Sequence, residues 1–91
     1  MPYTELDLAQ VERRVLASER CVERQLDIVV QHLAAAQPAE AALQRLAELE
    51  AALASLRRER SDIRTHLATS MQRVMQSFRP LPTEQRRSRA A

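Results

Sequence analysis

The residues of this chain that are able to do chemistry are few and lie far apart. The two histidines, His32 and His66, belong to two different long helix-forming stretches, and Cys21 is the only cysteine. If the stretches fold back on each other, His32 lies near the bend and His66 lies roughly 35 Å away at 1.5 Å per helical residue. The two imidazoles therefore cannot share one zinc ion within a single chain.

The first stretch also carries acidic residues on a helical spacing, at Glu12, Glu19, Glu23 and Asp27. Paired helical carboxylates hold two metal ions when Glu-x-x-His spacings accompany them, and this chain has no such spacing. We interpret these residues as a solvated acidic face, and we expect neither a metal nor another cofactor.

Arg13, Arg20, Arg24 and Gln25 resemble the polar set on the long helix of the helical chorismate mutases. The chain has no lysine, however, and no third helix-forming stretch. No group of residues is sufficient for a reaction, so we predict that the protein is not an enzyme.

The charge is divided unevenly along the chain, whose net charge is +2. Residues 1–56 contain five arginines and nine acids, whereas residues 57–91 contain nine arginines and three acids. A basic strip of this kind contacts phosphates, but no helix-turn-helix turn, zinc site or aromatic platform accompanies it. The alternative function is therefore sequence-independent, salt-sensitive nucleic-acid binding. The arginines of this strip are Arg57, Arg64, Arg73, Arg79, Arg86, Arg87 and Arg89.

The composition predicts an all-α chain. Glycine is absent, 45% of the residues are hydrophobic, and only 2% are aromatic. Turns of β-hairpins need glycine, and the abundant Ala, Leu, Glu, Gln and Arg favour helix. No apolar run is long enough to span a membrane, and no signal peptide is visible, so we expect a cytoplasmic protein.

The first helix is predicted over residues 5–36, with Thr4 as its N-cap, Asp7 returning the capping bond and Tyr3 packing on Leu8. Its apolar stripe follows steps of three and four residues, with Ser18 filling one place. The stripe consists of Leu8, Val11, Val15, Val22, Leu26, Val29 and Leu33, and it is widened by Leu6, Leu16, Ile28 and Val30.

A bend at residues 36–38 should separate the two helices. Pro38 suits the first position of the second helix and disfavours helical geometry at Gln37. The second helix is predicted over residues 38–78, before a basic flexible tail at residues 80–91. One continuous helix kinked at Pro38 is the competing interpretation.

Folding at this bend pairs residues whose numbers sum to about 75. Apolar residues then face each other, and Glu19 and Glu12 come near Arg57 and Arg64. The stripe of the second helix consists of Leu43, Leu46, Leu49, Leu53, Leu56, Ile63, Leu67, Met71, Val74 and Phe78, with Arg60 in one place.

The resulting fold class is an antiparallel, coiled-coil-like two-helix hairpin of residues 1–79. Its stripes are wider than one partner helix covers, so we predict a homodimer that forms a four-helix bundle. The second helix outruns the first, and its overhang (Met71, Val74, Met75 and Phe78) is the predicted partner-binding surface. The overhang closes one end of that bundle or anchors another protein.

Three segments resemble a set of short, uncharacterised bacterial helical-hairpin proteins. They are residues 19–25 (ERCVERQ), 36–41 (AQPAEA) and 56–62 (LRRERSD). Members show a Glu-Arg and Arg-Gln pattern, a turn similar to Gly-Gln-Pro, and an Arg-Asp-like segment, whereas this chain has Ala36 at the place of the turn glycine. The resemblance implies a hairpin and no particular activity, so the predicted function is that of a non-enzymatic interaction or adaptor module.

Overall fold

A computed structural model describes residues 3–77, and this part of the chain consists of two helices joined by a short bend, without strands. Helix α1 spans Glu5–Ala34 and helix α2 spans Glu40–Ser77. The two helices pack against each other as a hairpin, as predicted. The competing interpretation, one continuous helix kinked at Pro38, is therefore wrong.

The start of α1 confirms the predicted capping box. The Asp7 amide donates to Thr4 Oγ1 over 3.2 Å, and the Thr4 amide donates to Asp7 Oδ2 over 2.7 Å. Each residue thus satisfies a backbone N–H that the first helical turn leaves free. The Tyr3 ring lies edge-on against His66 of α2, with the ring centroids 5.6 Å apart.

The end of α1 is a Schellman motif. Ala35 is the C-cap and Ala36 has a left-handed φ of 54°. The Gln37 amide donates to the His32 carbonyl over 2.8 Å, and the Ala36 amide donates to the Leu33 carbonyl over 3.2 Å. These two bonds satisfy carbonyls that a helix end leaves free. Because the chain reverses at Ala36, α1 ends two residues before the predicted position 36.

Helix α2 begins two residues after the predicted position 38. The first helical hydrogen bond runs from the Leu43 amide to the Ala39 carbonyl over 2.8 Å, so Glu40 is the first helical residue. Pro38 lies in the bend, where its carbonyl accepts a 2.9 Å hydrogen bond from His32 Nδ1. Glu40 still lies in the first turn, where its carboxylate interacts favourably with the helix dipole.

The core is a single seam between the helices. Buried and half-buried residues alternate in steps of three and four along each helix, as in a heptad repeat. On α1 this seam consists of Leu8, Val11, Val15, Ser18, Val22, Gln25, Val29 and His32. On and just before α2 it consists of Ala39, Ala42, Leu46, Leu49, Leu53, Leu56, Arg60, Ile63, Leu67 and Ser70.

Near the bend, the predicted stripe of α1 is wrong at two positions. Leu26 and Leu33 are 49% and 62% exposed, and Gln25 and His32 occupy the seam instead. Gln25 Nε2 donates to the Ala42 carbonyl over 2.9 Å, which ties the two helices together. Two helices in contact bury only the positions between them, so the leucines one residue further round stay in solvent.

The register agrees with the predicted pairing at Glu19. Arg57 Nη2 donates to Glu19 Oε2 over 3.2 Å, as expected from the sum of about 75. Glu12 and Arg64, the second predicted pair, do not form an ion pair in the described part of the chain. Such exposed pairs each contribute about 0.2–1 kcal/mol, so the seam and the bend hold the register.

Candidate interaction surface

The predicted overhang exists and is exposed. Helix α2 has 38 residues and α1 has 30, so α2 extends about 12 Å further at 1.5 Å per residue. Met71, Val74 and Met75 in this extension are 61%, 54% and 68% exposed. We call these three residues the end patch. Phe78, the fourth predicted member, lies outside the described residues.

A second exposed apolar group lies near the bend. Leu26, Val30, Leu33 and Leu43 are 49%, 56%, 62% and 47% exposed, and we call them the bend patch. Sequence reasoning missed this surface because it assigned three of the four to the contact between the two helices. The width of the apolar stripes was the signal that pointed to it.

Both patches contribute residues to the same side of the hairpin. The ion pair between Glu19 and Arg57 marks this side, because it bridges the two helices along one flank of the seam. Leu33 follows Glu19 by two heptads, Leu43 precedes Arg57 by two heptads, and Met71 follows Arg57 by two heptads. Residues separated by whole heptads share one side of a seam of this spacing. We call this surface the Glu19 side.

The opposite flank of the seam has a different character. Arg14 Nη1 and Glu59 Oε2 lie 3.8 Å apart there, across the two helices. A shallow groove of about 270 Å³ follows on this flank, and Arg24 Nη2 at its rim donates to Cys21 Sγ over 3.4 Å. The groove is lined by Cys21, Arg24, Gln25, Ile28, Arg45 and Leu49. It offers an apolar floor with two guanidinium groups at its rim.

In the part of the chain that the structure describes, the histidines and acids do not come together as a metal site. His32 contacts the bend and His66 contacts Tyr3, so each ring has an intramolecular partner. Within residues 3–77, no three His, Cys, Asp or Glu side chains are close enough to hold a metal ion. Neither helix of this range has an apolar stretch of the length that crossing a bilayer requires.

The arginines proposed to contact nucleic acid fall into three groups. Arg57 is engaged by Glu19. Arg64 and Arg73 are exposed and form no ion pair within the described range. The others, Arg79, Arg86, Arg87 and Arg89, lie outside the described residues.

Comparisons with known proteins found no relative of this chain. No family model, curated protein or solved structure matches the chain. The two patches and the charge around them are the features of this chain that point to a function.

Proposed function

We propose that this protein is a non-enzymatic helical interaction module that self-associates, as a homodimer in which two hairpins form a coiled-coil-like four-helix bundle. One observation carries the proposal. Among the described residues, seven hydrophobic side chains are buried and two of these are alanines, whereas eleven large hydrophobic side chains are exposed. A second hairpin on the Glu19 side would cover the two largest groups of them.

The magnitudes support this assembly. Burying a Leu, Val or Met side chain completely contributes about 1.5–3 kcal/mol, so covering a half-exposed one contributes roughly 1 kcal/mol. The two patches hold seven such side chains in each copy, and two copies together gain on the order of 14 kcal/mol. Association costs about 4–15 kcal/mol in lost translational and rotational freedom. Covering these patches alone is therefore enough to offset most or all of that cost.

The end patch provides the test. We expect the double substitution Met71→Ser and Met75→Ser to raise the dimer dissociation constant at least about tenfold in sedimentation equilibrium, because it removes apolar area from the interface. The helix content by circular dichroism should stay unchanged, since both residues lie outside the seam.

Gln72→Ser with Gln76→Ser is the matched control, because both glutamines are exposed on the same turns of α2. This variant should keep the dissociation constant of the unmodified protein. A stable monomer of the unmodified chain at micromolar concentration, measured by light scattering, would overturn the proposal.

Sequence-independent nucleic-acid binding is a second candidate function. The observation in its favour is that Arg64 and Arg73 are exposed without an ion pair in the described part of the chain. Phosphate contacts release counterions, so affinity in a gel-shift titration must fall steeply with salt. A flat salt dependence excludes this candidate.

A further inference from the structure

We propose that the bend patch is the docking site for the end patch of a second copy, so that the two hairpins pair antiparallel about a two-fold axis at the Glu19–Arg57 ion pair. This inference rests on the proposed self-association and adds the arrangement of the dimer. Three observations carry it: the spacing of the patches, the charge of the two ends, and the unused donors of Arg57.

The spacing of the patches is symmetric about the ion pair. On α2, Leu43 lies two heptads before Arg57 and Met71 lies two heptads after it. Leu43 and Met71 are therefore each about 21 Å from Arg57 along the helix axis. A two-fold axis at this level, lying in the interface and perpendicular to the helices, brings Leu43 of the bend patch in each copy against Met71 of the end patch in the other.

The charge of the two halves favours the same arrangement. The bend half, residues 20–56, holds three arginines and five acids. In the open half, residues 3–19 and 57–77 hold seven arginines and six acids, so the net charge is +1 there and −2 in the bend half. An antiparallel pair sets each acidic half beside a basic half, whereas a parallel pair sets like charges together.

The Glu19–Arg57 ion pair leaves hydrogen-bond donors of Arg57 unused at the proposed axis. Arg57 uses one N–H for Glu19, while a guanidinium offers five donors. The side chains of Arg57 and Glu19 remain 51% and 38% exposed. At a two-fold axis, each Arg57 therefore meets a second carboxylate, the Glu19 of the other copy, without leaving its own. The arginines and glutamates of the two copies then alternate around the axis.

Double electron–electron resonance distances test the arrangement. In a Cys21→Ser background, a spin label attached through Gln37→Cys lies in the bend, about 30 Å along the helix from the level of Arg57. Antiparallel pairing predicts a distance of about 60 Å between the two labels of a dimer. Parallel pairing predicts less than about 30 Å, since packed helices lie about 10 Å apart. Ala41→Cys, in the first turn of α2, is a second position for which antiparallel pairing predicts about 50 Å.

A label attached through Ser55→Cys is the control, because this exposed position lies almost level with the proposed axis. It should give less than about 30 Å in either arrangement. Short distances at all three positions would overturn the antiparallel pairing while leaving self-association intact. The absence of any distance at Ser55, with a monomeric mass, would overturn the proposed function and this inference together.

Discussion

Ala36 adopts a backbone conformation that suits glycine better than alanine. Its φ of 54° lies in the left-handed region, where an L-residue pays roughly 1–2 kcal/mol because its Cβ crowds the following carbonyl. The Schellman hydrogen bonds of Ala36 and Gln37 hold it there. Glycine adopts this region without that cost, so it would fit position 36 better than alanine does.

We expect Ala36→Gly to stabilise the protein by about 0.5–1 kcal/mol. Glycine removes the left-handed strain, and its greater freedom in the unfolded chain offsets part of the gain. The urea midpoint, measured at one fixed protein concentration, should rise.

Ala35→Gly is the matched control for this substitution. Ala35 has a φ of −87°, which alanine adopts without strain. Glycine there brings only the entropic cost, so the midpoint should fall. Equal effects of the two substitutions would show that Ala36 is not strained.

Two side chains in the seam were beyond prediction from the sequence. Gln25 and His32 take places that hydrophobicity assigns to Leu26 and Leu33. Each pair is adjacent along α1, and both choices keep the spacing from Val29. The decision depends on contacts with the rest of the chain, namely the carbonyls of residues 42 and 38, and no single-helix pattern contains these.

The sequence predicted the positions of the two helices better than it predicted which side of each helix packs against the other. The absence of glycine, the Thr4 cap and the bend at Gln37 and Pro38 were enough for two helices in a hairpin, and the pairing rule placed Glu19 beside Arg57. The stripes were too wide to show which flank faces the other helix. Candidate surfaces were consequently predicted only where α2 runs past α1, and the bend patch was missed.

The strongest packing lies away from the bend. Ile63, Val11 and Val15 are at most 2% exposed. We expect Ile63→Ala to destabilise the protein by about 2–5 kcal/mol, because the cavity adds to the lost transfer free energy. Urea unfolding measures this loss.

Leu6→Ala in α1 serves as the comparison, because Leu6 is 62% exposed in the same half of the hairpin. Its cost should stay within about 0.5 kcal/mol, as for most surface substitutions. A large effect at Leu6 would mean that a partner covers this residue, which the antiparallel bundle on the Glu19 side does not require.

Charge distinguishes an antiparallel from a parallel pairing of two hairpins. In an antiparallel dimer, complementary halves attract, so raising sodium chloride from 0.05 to 0.5 M should raise the dissociation constant severalfold by screening. A parallel dimer responds in the opposite direction, because screening relieves repulsion. Sedimentation equilibrium at a series of salt concentrations distinguishes these outcomes.

The variant Asp27→Asn with Glu50→Gln is the control for the salt series. Both acids are exposed in the bend half and form no ion pair in the described range, so their replacement removes its net negative charge. The salt dependence should become nearly flat. If the dissociation constant of this variant still changed with salt as in the unmodified protein, the electrostatic attraction would come from other residues.

The contacts between the two helices join residues at increasing sequence separation, which implies an order of folding. The bond from His32 to Pro38 spans 6 residues, that from Gln25 to Ala42 spans 17, and that from Arg57 to Glu19 spans 38. Short loops close at lower entropic cost. We therefore expect the two helices to pair first next to the bend and then progressively toward their other ends. The first section to close contains Gln25, His32 and two alanines, whereas Val11, Val15 and Ile63 meet last. We therefore expect folding to begin near the bend, before Val11, Val15 and Ile63 have come together.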